Sequence, residues 1–217
     1  MLLLLIRHGL TTHTTARLTG WTPGVHLSDR GQEQAGGLVG RLDGVAIDAV
    51  YSSPLERARE TAQPLARARR LRVRQRDELG EVHYGDLQGK TFRVLAKSKI
   101  WHNLRAWPSD VRFPNGETLR ETQARAISAI EAIREAHPSH TVAVFSHGDF
   151  IRLTLAHYLG IHIDLYRRLA VDTVSVSAVQ FYDAGVQVRR INDTGTLADL
   201  GGEPIARPLS DRKVVKR

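Results

Sequence analysis

Apolar and polar positions along the chain fall into blocks that read as strands followed by helices. Residues 2–7 form a continuous apolar run ending in charge, the pattern of a short strand covered on both faces. After a loop rich in Thr and Gly, Ser28 can cap a helix reaching about residue 42. Residues 48–52 predict a second buried strand, and Pro54 stands where the first turn of the next helix should begin, with apolar residues continuing to about residue 68. Residues 71–74 predict a third strand. Thr118 and Glu121 make a capping-box pattern ahead of Ile127, Ile130 and Ile133, whose spacing paints one face of a helix over 118–136. Residues 141–145 are β-branched and apolar, a central strand by composition, and Gly148 opens a helical pattern through about residue 159. Residues 174–182 and 186–191 predict two strands joined as a hairpin around Asp183, Ala184 and Gly185.

This order predicts an α/β fold, a three-layer α/β/α sandwich with a mostly parallel central sheet and an antiparallel edge strand. No internal repeat and no Gly/Ser/Pro-rich linker divides it, so one domain over 1–206 is expected. A small cap insertion is expected around 92–118, and 207–217 reads as a polar, basic tail.

Composition adds little to that picture but removes several function classes. With 217 residues, 41% of them hydrophobic and 25% charged, the chain can bury a sizeable core. The apolar start is too short for a signal peptide and is followed at once by Arg7 and His8; no other stretch approaches the roughly 20 apolar residues of a membrane helix. A cytoplasmic location and no membrane partner are therefore expected. The chain has no cysteine, which excludes thiolate nucleophiles, disulfides and cysteine metal sites together. The net charge of +8 suits an anionic substrate, a nucleic-acid surface or nothing specific. Its densest cluster, residues 67–76, lacks interleaved aromatics and reads as a solvated basic face, so no nucleic-acid partner is expected.

The chemistry is concentrated at strand ends. Arg7-His8-Gly9 follows the first strand, Ser52 to Arg57 the second, and Ser146-His147-Gly148 a later one. In a parallel sheet, ligands collect at the carboxyl ends of strands, so neighbouring strands would gather two histidines and two arginines at one edge. Such a group repels itself unless an anion sits within it, and phosphoryl oxygens match the planar fork of arginine. Guanidinium charge also disfavours imidazolium, which leaves a neutral, nucleophilic imidazole and makes His8 the candidate nucleophile. A leaving alkoxide needs a proton, and the loop from Glu78 to Gly85 supplies two carboxylates, Glu78 and Glu81, between which spacing does not choose. Tyr84 follows in the same loop and is expected near the substrate. His137 and His140 flank Pro138 without acidic partners nearby in sequence, so no metal and no cofactor are expected.

These motifs strongly resemble the histidine phosphatase superfamily, the phosphoglycerate mutase-like group. The resemblance covers nearly the whole chain: residues 4–9 resemble its Arg-His-Gly strand end, Thr19-Gly20-Trp21 and 27–31 its next loop and helix, 51–58 with Thr61 and Ala62 its second motif, and Ser146-His147-Gly148 its third. It implies His8 as phosphoacceptor, Glu81 rather than Glu78 as proton donor, and Arg7, Arg57 and His147 as the phosphate pocket. Thr11, Thr14, Thr19 and Gly20 are expected, with Tyr84, to contact substrate. Leu10 and Thr14 stand where many members carry an acidic residue and Asn; Val82, Phe92 and Asp149 stand where mutases resemble Arg, Lys and Asn. Those departures favour a phosphomonoester hydrolase over a bisphosphoglycerate-dependent mutase, with an idle phospholigand-binding protein as the third reading. Expected partners are a small phosphorylated substrate and, at most, a second copy of the chain in a homodimer.

Overall fold

The computed structural model describes residues 1–195 and Leu197; the expected tail at 207–217 and the end of the expected domain lie outside the described residues. Strands β1 (Leu2–Arg7), β2 (Ala49–Ser52), β3 (Val73–Gln75), β4 (Thr141–Ser146), β5 (Val176–Tyr182) and β6 (Gly185–Asp193) form one sheet in the order β3-β2-β4-β1-β5-β6. Helices α1 (Asp29–Arg41), α2 (Glu56–Ala68), α3 (Phe92–Leu95), α4 (Lys99–Ala106), α5 (Leu119–Ala136) and α6 (Gly148–Tyr158) accompany it. The first four strands run parallel, β5 pairs antiparallel with β1, and β6 folds back on β5. The antiparallel part is thus two strands deep, because the turn at Asp183 and Ala184 returns the chain along β5.

Both sides of the sheet are covered, which is why its central strands read as unbroken apolar runs. Leu3, Leu5, Val142 and Val144 pack with Ile130, Ile133, Phe150 and Ile151 from α5 and α6. Leu2, Leu4, Ile6, Ala143 and Phe145 pack with Leu38, Ala62 and Leu65 from α1 and α2. Each fully buried side chain of this size contributes about 1.5–3 kcal/mol, so a slip of β1 by one residue would preserve burial on both faces but carry Arg7 and His8 out of place. A third apolar cluster joins Val82, Tyr84, Leu95, Leu104 and Phe113 to Leu153 and Ala156 of α6.

Element boundaries shift from the sequence pattern, with β6 longer than expected at both ends, and at three places the shift has a backbone reason. Residue 71 closes the turn after α2 rather than starting β3: Arg70 has φ 55° and the Leu71 N–H donates to the Ala66 carbonyl, a left-handed helix end. Pro54 lies outside α2, because the Ser53 N–H still donates to Phe145 and prolongs the ladder, while Leu55 is extended; Pro64 instead sits inside the helix. Val174, at φ 56°, delays β5 to Val176. The capping box of α5 is complete, with Thr118 accepting from the Glu121 N–H and Glu121 accepting from the Thr118 N–H.

The decisive feature is that β2, β4 and β1 are neighbours. Arg7 lies opposite Ser146 and Ser52 opposite Phe145, so all three motif-bearing strand ends meet at one sheet edge. Among the described residues no helix is long and apolar enough to cross a membrane.

Candidate active site

The loop after β1 is held by close backbone approach and hydrogen bonds. The His8 N–H extends the ladder to the Ser146 carbonyl at 3.0 Å. The Gly9 N–H donates to Thr61 Oγ1 at 2.9 Å, and Thr61 donates in turn to the Arg57 carbonyl, tying the loop to α2. A Cβ on Gly31 would lie 2.0 Å from the Leu10 carbonyl oxygen, so α1 can sit against this loop only with glycine there.

His8 itself is 7% exposed. Its Nδ1 lies 2.8 Å from the Gly9 carbonyl oxygen, which can only accept, so Nδ1 carries the hydrogen and Nε2 keeps its lone pair. Burial first, then Arg57 and Arg7, hold its pKa well below the ordinary imidazole value. Burial outweighs the guanidinium charges expected from the sequence to be the cause, because His8 lies almost wholly inside the protein.

Around it stand polar nitrogens without protein partners. Arg57, in the first turn of α2 and 2% exposed, donates Nη2 to the Gly20 carbonyl while Nε and Nη1 have no partner. Burial pushes its pKa down to about 10. Arg7 donates Nη1 to the Val171 carbonyl and leaves Nε unpartnered. His147 is wholly buried, its ring centre 5.2 Å from that of His8; Nε2 meets Ser53 Oγ at 2.8 Å and Nδ1 is unpartnered. An unsatisfied buried donor costs about 1–3 kcal/mol, more when charged, so this grouping is favourable only around a ligand rich in acceptor oxygens.

Glu81 closes the site from the loop after β3 and is 8% exposed. Its Oε1 accepts from the Val82 and Phe150 N–H groups, and Oε2 from the Asp149 N–H at the start of α6. Burial and the neighbouring charge of Asp149 raise its pKa in spite of those donors. Asp149 goes the other way: burial works against its charge, but Arg152 at 2.8 Å, Tyr84 at 2.7 Å and Arg167 hold it low. Two adjacent carboxyls are thereby driven apart, one toward the acid and one toward the anion. Glu78 is exposed and lies outside the cavity.

A cavity of about 170 Å³ joins these groups, lined by Arg7, His8, Thr11, Thr14, Thr19, Gly20, Arg57, Glu81 and Tyr84. Of the residues expected from sequence, only His147 is absent from that lining, because it is buried against His8. Thr14 Oγ1 accepts from the Thr11 N–H at 2.8 Å, so Thr14 also shapes its own loop. Sequence reasoning left Trp101 unassigned and missed Arg17, Arg152 and Arg167, all of which line the cavity. Arg152 had a readable signal, an Asp149–Arg152 pair three residues apart at a helix start; Arg17 and Arg167 had none. Trp21 donates Nε1 to the Glu81 carbonyl and stacks on His83 outside the cavity lining, and Trp107 is exposed. Among the described residues, no group of three or more His, Asp or Glu is placed to hold a metal ion.

Residues 3–194 match the family model of the histidine phosphatase superfamily, branch 1. The chain belongs to that superfamily. Hydrolysis of phosphomonoesters through a phosphohistidine is the chemistry that goes with this membership. This histidine phosphatase is 29% identical over 177 residues to phosphoserine phosphatase 1 of Hydrogenobacter thermophilus, covering 80% of this chain and 83% of that protein. It is 34% identical over 201 residues to a bifunctional protein of Mycobacterium tuberculosis, covering 90% of this chain but 54% of the other, so it spans about half that relative's length. The crystal structure of the alpha-ribazole phosphatase from Shigella flexneri superposes with a TM-score of 0.81 at 28% identity, covering 90% of this chain and 98% of that one.

Proposed function

We propose that this histidine phosphatase hydrolyses a small phosphorylated metabolite by passing the phosphoryl group through His8. The free lone pair of His8 Nε2, fixed by the Nδ1 contact to Gly9, is the observation that carries the reading. In the first step Nε2 bonds to phosphorus and the ester oxygen leaves, taking a proton from Glu81. In the second, water attacks the phosphohistidine, gives its proton to the Glu81 carboxylate, and inorganic phosphate departs from the restored imidazole. The unpartnered nitrogens of Arg7, Arg57 and His147 are assigned to the phosphoryl oxygens, where they offset the charge that develops in transfer. Thr11, Thr14, Thr19, Gly20 and Tyr84 are assigned to the rest of the substrate, α3 and α4 to a cap over it, and the protein to the cytoplasm.

The test compares the natural protein with His8→Ala on p-nitrophenyl phosphate in excess chelator. The variant is expected to lose at least about a thousandfold in kcat, and the natural protein to yield an acid-labile, base-stable phosphoryl adduct. Activity persisting in the variant would overturn the nucleophile, and loss of activity on chelation would overturn the metal-free route. Turnover that requires a bisphosphoglycerate primer would turn the reading to a mutase.

A further inference from the structure

Charge in the cavity exceeds what a phosphoryl group uses. Five arginines line it, Arg7, Arg17, Arg57, Arg152 and Arg167, against two carboxyls, Glu81 and Asp149. Asp149 is paired with Arg152, and Glu81 is the proposed proton donor. Arg7 and Arg57 meet a phosphoryl dianion, which leaves Arg17 and Arg167 in excess at the exposed part of the lining, since the one further charge, on Asp149, is ion-paired with Arg152 and acts on Arg167 only through space.

Those two are also held in place. Arg17 forms a backbone bridge with Thr91 and donates Nη1 to the Gly89 carbonyl at 2.9 Å, so its head is pinned beside the start of α3. Arg167 comes from the other side, in the 3-10 segment Ile163–Arg168, and its guanidinium carbon lies 5.7 Å from the centre of the Trp101 ring. Stacking of this kind orients a guanidinium while leaving its edge N–H groups open to an oxygen ligand. Leu18, Phe92 and Trp101 add apolar lining to the same cavity. At about 170 Å³, the space is well below the roughly 300–1,000 Å³ that takes drug-sized ligands.

Resting on the phosphatase reading, we infer that Arg17 and Arg167 form a second anion subsite, and that the substrate is a compact organic phosphate with a second acidic group. A carboxylate and a second phosphate share that chemistry, and matched pairs separate them. The carboxylate arm compares 3-phosphoglycerate with glycerol 3-phosphate; the phosphate arm compares propane-1,3-diol bisphosphate with the monophosphate. The acidic member of at least one pair is expected to have a kcat/KM higher by about tenfold, the scale of hydrogen bonds to charged groups. That ratio falls toward one in the Arg17→Ala/Arg167→Ala double variant, chiefly through KM. Arg167→Lys, which keeps the charge, restores part of it, and added salt lowers it because both residues are exposed.

Equal kcat/KM within both pairs, or a preference that survives in the double variant, overturns the subsite while leaving the phosphatase reading intact. Failure to hydrolyse any member, with no phosphoryl adduct on His8, overturns the phosphatase reading itself.

Discussion

At the scale of single residues, the site works by setting like groups against one another. Asp149 and Glu81 are adjacent carboxyls in one buried pocket, and the partners of Asp149 decide which of them stays charged. Asn at 149 would keep acceptance from Tyr84 while removing the negative charge. The proton on Glu81 would then be lost at lower pH, so the alkaline limb of kcat/KM should move to lower pH. A pH profile of Asp149→Asn that falls in height without moving would show that Asp149 only packs. Glu78 and Glu81 lie three positions apart in the sequence, but only Glu81 receives the N–H groups of Asp149 and Phe150 from the start of α6. Spacing alone does not separate the two, since the donors come from a helix nearly seventy residues away.

At the scale of elements, two positions with ordinary sequence signals have unequal consequences. Thr118→Ala removes half of the α5 capping box and should cost about 1 kcal/mol, read as a lower denaturant midpoint with kcat/KM retained. Gly31→Ala adds a Cβ that would meet the Leu10 carbonyl oxygen at 2.0 Å, so α1 or the His8 loop must shift. It should lose stability by roughly 1–3 kcal/mol and kcat as well, because the loop that moves carries the proposed nucleophile. Full activity in Gly31→Ala would mean that α1 does not set the loop position. Helix α5 was readable from end to end, since both its cap and its apolar stripe are local in sequence. The ends of α2, β3 and β5 were not, because a left-handed residue or a ladder bond from a distant strand placed them.

At the scale of the whole molecule, the fold carries two neutral, buried imidazoles into its centre, and this makes stability depend on pH. Burial, followed by nearby guanidinium charge, holds His8 and His147 well below their ordinary value of 6.5. The unfolded chain binds their protons as pH drops through 6.5 and the folded chain does not, so unfolding free energy should fall on acidification. Glu81, raised from 4.5, opposes this at lower pH, a contribution common to proteins that differ only at His8. His8→Asn should therefore flatten the loss between pH 6.5 and 5.5 by up to about 1.4 kcal/mol per unit, measured by urea titration; parallel curves would mean that His8 is not held neutral. Inorganic phosphate at a hundred times its Kd should stabilise the natural protein by about 2.7 kcal/mol, and raise its Tm accordingly. The alternation of strands and helices, the double-sided burial of β1 and the three polar strand ends are written along the chain, because those depend on residues close together in it. That β2, β4 and β1 stand side by side, that Nδ1 of His8 is spent on Gly9, and that Arg17 and Arg167 face one cavity emerges in the folded chain alone. Those facts depend on strand order and on contacts between residues far apart in the chain, and neither leaves a periodic trace in sequence.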